Sequence, residues 1–302
     1  MLLDLSEDVQ RMIFELLSTV LRPATVICLS RCCRSLHAAT RAPLVTLLTR
    51  HSAAKQLCTK VRSSCEEASE AQGLNWYHEG LTAADVATLE MLVRTNALPR
   101  LEALSLDHNG FGAEAMQALC EELGHGTLRR LQYLVLSTNA LGSEGAAALA
   151  AALGRGALPQ LKSLGLGGNH IGSYGLITLA PPLRQLQLLK TLRLWDNEIG
   201  DEGVVALLAN LDEKHKQLKQ LQEIDLEGNR ITATGCGTLI AALDGGALPK
   251  LRELDVEGNP MSEMAKEAVL AAFDRNMNIK HNINNQRSRP LAVGMFGSGV
   301  VL

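Results

Sequence analysis

LQYLVLSTNALG (131–142) holds a pattern that the chain writes again and again, as in LEALSLDHNGFG (101–112) and LRELDVEGNPMS (251–262). Counted from the first leucine, apolar residues fall at positions 1, 4, 6 and 11, and asparagine at position 9. The asparagines are Asn109, Asn139, Asn169, Asn197, Asn229 and Asn259, in steps of 30, 30, 28, 32 and 30 residues. A period of this size means a stack of supersecondary units, each unable to bury its apolar face alone. Such a solenoid offers an extended surface in place of a single deep pocket.

The phrase also specifies its own local structure. Positions 4 and 6 are apolar and alternate with mostly polar or small residues at 3, 5 and 7, the period of a short half-buried strand. Glycine follows at position 12 in Gly112, Gly142, Gly172 and Gly200. Next comes a segment such as SEGAAALAAALGRGA (143–157), with apolar spacing of three and four, which predicts a helix. The ALP triplets ending at Pro99, Pro159 and Pro249 close the unit, because proline stops a helix. A seventh unit precedes the obvious six. Glu79 takes position 9, Leu74 and Trp76 take positions 4 and 6, Leu81 takes position 11, and 82–92 supplies the helix. Two units are irregular: one carries Pro181–Pro182 late in its helix, and the next carries the charged run DEKHKQLKQ (212–220).

One strand and one helix per 30 residues, with the phrase LxxLxLxxNxIGxxG, resembles the ribonuclease-inhibitor-like leucine-rich repeat. The resemblance covers 74–275. It implies an α/β solenoid of about seven strand–helix units, with parallel strands lining a concave face. The asparagines are expected to be structural, their amides bonding turn backbone that would otherwise be buried unpaired.

Residues 4–50 lie outside the repeat and read as apolar helical segments, with Pro23 marking a turn. DLSEDVQRMIFELLSTVL and CLSRCCRSLHAAT resemble the opening and closing helices of an F-box. The resemblance implies a Skp-type adaptor as partner, gripping Leu5, Val9, Ile13 and Leu16, then Leu29, Cys33 and Leu36. The alternative is a helical cap over the open edge of the first repeat, a need of every solenoid. The expected organisation is therefore 1–50 F-box-like, 51–73 connecting helix and loop, 74–275 repeats and 276–302 tail.

Strand phase also identifies the outward side chains, at positions 3, 5 and 7. They are Asn75 and Tyr77 in the first unit, then Ala103, Ser105 and Asp107, then Tyr133, Val135 and Ser137. Ser163, Gly165 and Gly167 make a nearly bare row, followed by Thr191, Arg193 and Trp195. The last two rows are Glu223, Asp225, Glu227 and Glu253, Asp255, Glu257. Six carboxylates on neighbouring strands repel one another, and a basic partner would reverse the sign of that interaction. Arg193, next to Asp225, offers partial relief. Trp195 is expected as an exposed interface anchor, and the glycine row beside it as room for a bulky partner side chain. Tyr133 belongs to the same face. Two other readings stay open: acidic outward positions serving solubility alone, or the tail residues Lys280, Arg287 and Arg289 folding back on these rows.

Composition excludes several classes. With a net charge of −3 on 302 residues and scattered Arg and Lys, no nucleic-acid partner is expected. No uninterrupted apolar run reaches 18 residues, so no membrane span is expected. The seven cysteines are odd in number and form no CxxC pair, which suggests reduced thiols in the cytosol or nucleus and no zinc site. No EF-hand loop, nucleophile elbow or HExxH occurs, so neither metal, cofactor nor catalysis is expected. The leading expectation is a non-catalytic F-box-like substrate receptor for a cullin-type ubiquitin ligase. The alternatives are a stand-alone repeat scaffold and a regulator similar to the Ran GTPase activators, which share this repeat type.

Overall fold

The computed structural model describes residues 23–30, 34–124, 126–209 and 218–277. Helices α1 (Ala24–Ser30), α2 (Arg34–Lys60) and α3 (Cys65–Glu70) precede the repeats. Strands β1 (Gly73–Asn75), β2 (Ala103–Ser105), β3 (Tyr133–Val135), β4 (Ser163–Gly165), β5 (Thr191–Arg193), β6 (Glu223–Asp225) and β7 (Glu253–Asp255) then alternate with helices. The helices are α4 (Ala83–Arg94), α5 (Gly112–Gly124), α6 (Gly142–Gly154), α7 (Gly172–Leu183), α8 (Asp201–Leu208), α9 (Ala233–Asp244) and α10 (Glu263–Met277). All seven strands pair in parallel in chain order, and the register joins equivalent repeat positions, Leu104 to Leu134 to Leu164 to Leu192. This is the leucine-rich repeat solenoid that the period predicts.

The core follows from the phrase. Position 4 (Leu104, Leu134, Leu164, Leu192, Ile224) and position 6 (Leu106, Leu136, Leu166, Leu194, Leu226) are all buried. Trp76 takes a position-6 site at 2% exposure. The helices meet this layer with small residues, so the units stack closely. At Gly175 a β-carbon would sit 2.5 Å from Ile171 Cγ2 and 3.1 Å from Ala146 Cβ, which leaves no room for a side chain between α7 and its neighbours. Pro181 and Pro182 fall in the last turn of α7, which runs through them to Leu183.

A row of amides holds the turns. Asn169 Nδ2 donates to the carbonyls of Leu136 (3.0 Å), Leu166 (2.9 Å) and Gly167 (3.2 Å), while its Oδ1 accepts from Asn139 N at 2.8 Å. Asn139 and Asn197 repeat the set one unit away on either side. Each position-6 carbonyl from Leu106 to Leu226 is thus shared by two amides. Leu166 O, for instance, accepts from both Asn169 and Asn197.

Helices outside the repeats cover the N-terminal edge of the stack. At the N-terminal edge α2 packs on α4, burying Leu47, Ala54, Leu57 and Cys58. Lys60 locks that contact, donating to Asp85 Oδ2 at 2.6 Å and to Gly80 O at 2.7 Å. Asp85 also completes the capping box of α4 with Thr82. α2 is continuous through residue 50, so the expected boundary there lies inside one helix, with Pro43 accommodated in it. At the other edge α10 buries Val269, Ala272 and Phe273, and Arg275 pairs with Asp244 at 2.9 Å.

Of the residues assigned to adaptor binding, Leu5, Val9, Ile13, Leu16 and Cys33 lie outside the described residues. Leu29 falls on α1 and Leu36 on α2, with side chains that are likewise outside the description. No helix among the described residues is long and apolar enough to cross a membrane.

Candidate functional site

Stacking in register brings the carboxylates of β6 and β7 side by side. Glu223 pairs with Glu253 and Asp225 with Asp255 across the ladder, and Arg193 on β5 faces Asp225. Glu227 and Glu257 extend the two rows just past the strand ends. The six are not equivalent. Arg193 Nε turns to Glu223 Oε1 at 2.7 Å, with Thr191 Oγ1 donating to the other oxygen at 3.3 Å. Lys266, on α10, pairs with Glu257. Glu253, Asp255, Asp225 and Glu227 have no ion-pair partner among the described residues.

Asp225 and Asp255 have a local task as well. Asp225 Oδ1 accepts the backbone N–H of Glu227 (3.1 Å), and Asp255 Oδ1 that of Glu257 (2.9 Å). Asn75 Oδ1 does the same for Tyr77 on β1 at 3.2 Å. An Asx side chain at position 5 therefore caps a donor that the ladder leaves over. This explains the aspartates' place in the repeat. It does not explain why glutamates flank them.

The electrostatic cost is visible in the carboxyl groups. Burial, reinforced by Asp255 and Glu227, pushes Asp225 up to about 6, against the partial relief given by Arg193. Burial also raises Glu227, as do the carboxylates of Asp255, Asp196 and Glu257. Asp196 is a member of the patch that reading strand phase alone does not find. It sits at position 8, beyond the alternating positions, in a left-handed conformation (φ 48). Its Oδ1 occupies the space over Gly228 that a β-carbon would fill, at 1.9 Å.

A raised carboxyl means that the fold prefers the protonated form. Asp225 therefore contributes most to stability below its ordinary value of 3.8, and that contribution is lost as pH rises through about 6. Asp225→Asn keeps the oxygen that caps Glu227 and removes the charge. It is expected to stabilise the protein by about 1–2 kcal/mol at pH 7.5 after allowing for solvent screening, and by almost nothing at about pH 3. Urea unfolding at the two pH values measures this. An equal gain at both would mean that the charge is not the cause.

Trp195 corrects the expectation made for it. The ring does not project as an exposed anchor but is partly buried. A β-carbon at Gly167 would lie 2.1 Å from its Cε2, and one at Gly168 would lie 3.2 Å from its Cζ3. The indole thus lies across the bare glycine row, which is already filled from within and not open to a partner's side chain. The physical reason is apolar area: laid on two glycines, the ring sheds water from one face without displacing anything.

The exposed rings of the concave side are elsewhere. Tyr77 is 52% exposed and Tyr133 42%. Tyr77 leans on His108, with ring centroids 5.0 Å apart. Between them Asp107, its carboxyl raised by burial, accepts the N–H of Ser137 at 2.7 Å. Among the described residues no group of His, Cys, Asp and Glu is arranged to hold a metal ion.

A family model described as "Leucine Rich repeat" matches residues 98–120, 128–150 and 185–208, so the chain carries leucine-rich repeats. No curated protein matches the chain. Among solved structures, the chain is 19% identical to one in the "TLR13-ssRNA13 complex", with a TM-score of 0.32, over 68% of this chain and 32% of that one. It is 15% identical to an internalin (inlF) from Listeria monocytogenes, with a TM-score of 0.26, over 74% of this chain and 93% of that one. The chain thus spans about a third of the first of these proteins.

Proposed function

We propose that this leucine-rich repeat chain is a non-catalytic docking protein whose concave carboxylate rows receive a basic segment of another protein. One observation carries the reading: Glu253, Asp255, Asp225 and Glu227 stand together on β6, β7 and the turns that follow, without an ion-pair partner among the described residues. Solubility alone needs charge, but not carboxylates stacked in register, where burial first and neighbouring carboxylates second raise Asp225 and Glu227. The direct test is titration of the full chain with a labelled Lys/Arg-rich peptide. Saturable binding that weakens with salt supports the reading, and binding no tighter than that of a Glu-rich peptide ends it.

The finer reading rests on the F-box resemblance of residues 4–50. In it the chain is a substrate receptor that joins its basic target to a cullin-type ligase through a Skp-type adaptor, in cytoplasm or nucleus. Other subunits would supply the ubiquitin-transfer chemistry, and this chain proximity. Wild-type protein is expected to capture purified adaptor, and Ile13→Asp combined with Leu16→Asp to lose it at least tenfold. If wild type captures no adaptor, the stand-alone scaffold replaces this reading while the docking face is untouched. Stimulated GTP hydrolysis by Ran would promote the third alternative.

A further inference from the structure

The concave face is not uniform along the stack. Its C-terminal end carries Asp225, Glu253 and Asp255 on β6 and β7, without an ion-pair partner among the described residues. Its N-terminal end carries Tyr77 and Tyr133, the two large apolar side chains most exposed on this side of the sheet. Neither ring is needed by the core. Tyr133 stands between Ala103 and Ser163 in the register, small neighbours that leave both its flanks open. Asp107, the carboxylate nearest Tyr77 in the repeat frame, is already engaged with Ser137 N.

The middle of the face is low. Ser163 and Gly165 raise no bulk, and the Trp195 indole lies flat over Gly167 and Gly168, making an apolar floor. Arg193 is the single cation of these strand rows, 32% exposed and tied to Glu223. It would repel a second cation placed over β5. A basic group on this face is therefore confined to β6 and β7, which sets the direction in which a ligand lies.

We infer that the face binds one extended segment of a partner protein, with a Lys/Arg pair over the β6–β7 carboxylates and an aromatic or long aliphatic side chain against Tyr133. This rests on the docking role above and specifies the chemistry of its partner. The spacing follows from the strands. β3 lies three strand steps from β6 and four from β7, or about 14–19 Å at about 4.8 Å per step. An extended chain covers that in roughly four to six residues at about 3.3 Å each. The partner motif is thus a basic pair and a large apolar residue about four to six positions apart.

The test uses the full chain and fluorescein-labelled peptides carrying Arg-Lys, a Ser/Thr spacer of one to nine residues, and Phe. Fluorescence polarisation is expected to show an affinity maximum at three to five spacer residues, at least tenfold above the same peptide with Phe→Ser. Tyr133→Ser is expected to abolish that tenfold and the spacing optimum while leaving the binding of Arg-Lys alone unchanged. The Tyr133 ring is exposed, so the fold tolerates its loss, and circular dichroism checks it. Affinity that ignores the spacer and the Phe would overturn the inference while the basic-segment role stands. Failure of every Arg-Lys peptide to bind would sink that role as well. If Arg287→Glu with Arg289→Glu raises the affinity of all peptides alike, whatever the spacing, the chain's own 278–302 segment is the occupant and the inference falls. It falls equally if unlabelled protein displaces the peptide, since a second copy then owns the face.

Discussion

Asn169→Ala is expected to destabilise the protein by about 3–4 kcal/mol, a large effect for the removal of one polar side chain. The amide has two protons and three carbonyl acceptors, at 2.9–3.2 Å, and its oxygen takes the N–H of Asn139. After truncation the carbonyls of Leu136 and Leu166 keep one amide each, from Asn139 and Asn197. Gly167 O keeps the N–H of Thr138 at 2.8 Å. The N–H of Asn139 keeps nothing. It is buried with its residue at 0% exposure, and an orphaned buried donor costs about 1–3 kcal/mol by itself. The lost bonds and the vacated space supply the rest. Asn259→Ala removes the same side chain from the last unit, where the site is only part-buried and water reaches the freed groups. It is expected to cost about half as much or less. Asn169→Asp keeps an acceptor but loses both donors and buries a charge, so it should be at least as damaging as alanine. Urea denaturation of the three variants reads the differences. Equal losses for Asn169→Ala and Asn259→Ala would mean that burial of the ladder is not what the amides serve.

The second large effect is on binding. Asp225→Lys combined with Asp255→Lys is expected to weaken a basic peptide by roughly 30- to 150-fold, which corresponds to about 2–3 kcal/mol. Each substitution exchanges an attraction for a repulsion, and near a protein surface one such contact at about 5 Å carries about 1 kcal/mol or more. The salt response should change sign too. Wild type loses affinity as salt rises, whereas the reversed protein holds or gains it, because salt then screens repulsion. Stability should change little. The lysines give up the caps on Glu227 and Glu257 N–H but relieve the crowding that raises Asp225 and Glu227. Unchanged affinity for a peptide that does bind would move the docking site off β6 and β7.

The two predictions rest on different kinds of legibility. The asparagine ladder was readable in advance because a strict period puts identical residues at identical heights in successive units. One amide per turn then meets the same backbone groups each time. The inward leucines were readable for the same reason, and Trp76 was placed in the core by counting alone. The carboxylate rows were readable as neighbours, since parallel strands in register bring position 5 beside position 5.

What side chains do beyond their first direction was not readable. Period and strand alternation say that Trp195 starts outward. They do not say that two glycines one strand away invite it to lie down. Asp225 was the neighbour assigned to Arg193 by strand order, yet the guanidinium reaches Glu223. Lys266 comes to Glu257 from a helix, and Asp196 joins the patch through a left-handed turn residue. The sequence by itself determined the solenoid, its phase and the face on which each residue begins, because these depend on a repeat-by-repeat pattern that every unit enforces on the next. Only the tertiary structure decided which charges are paired and which rings stay exposed, because those depend on flexible side chains settling among neighbours that lie on other strands, turns and helices.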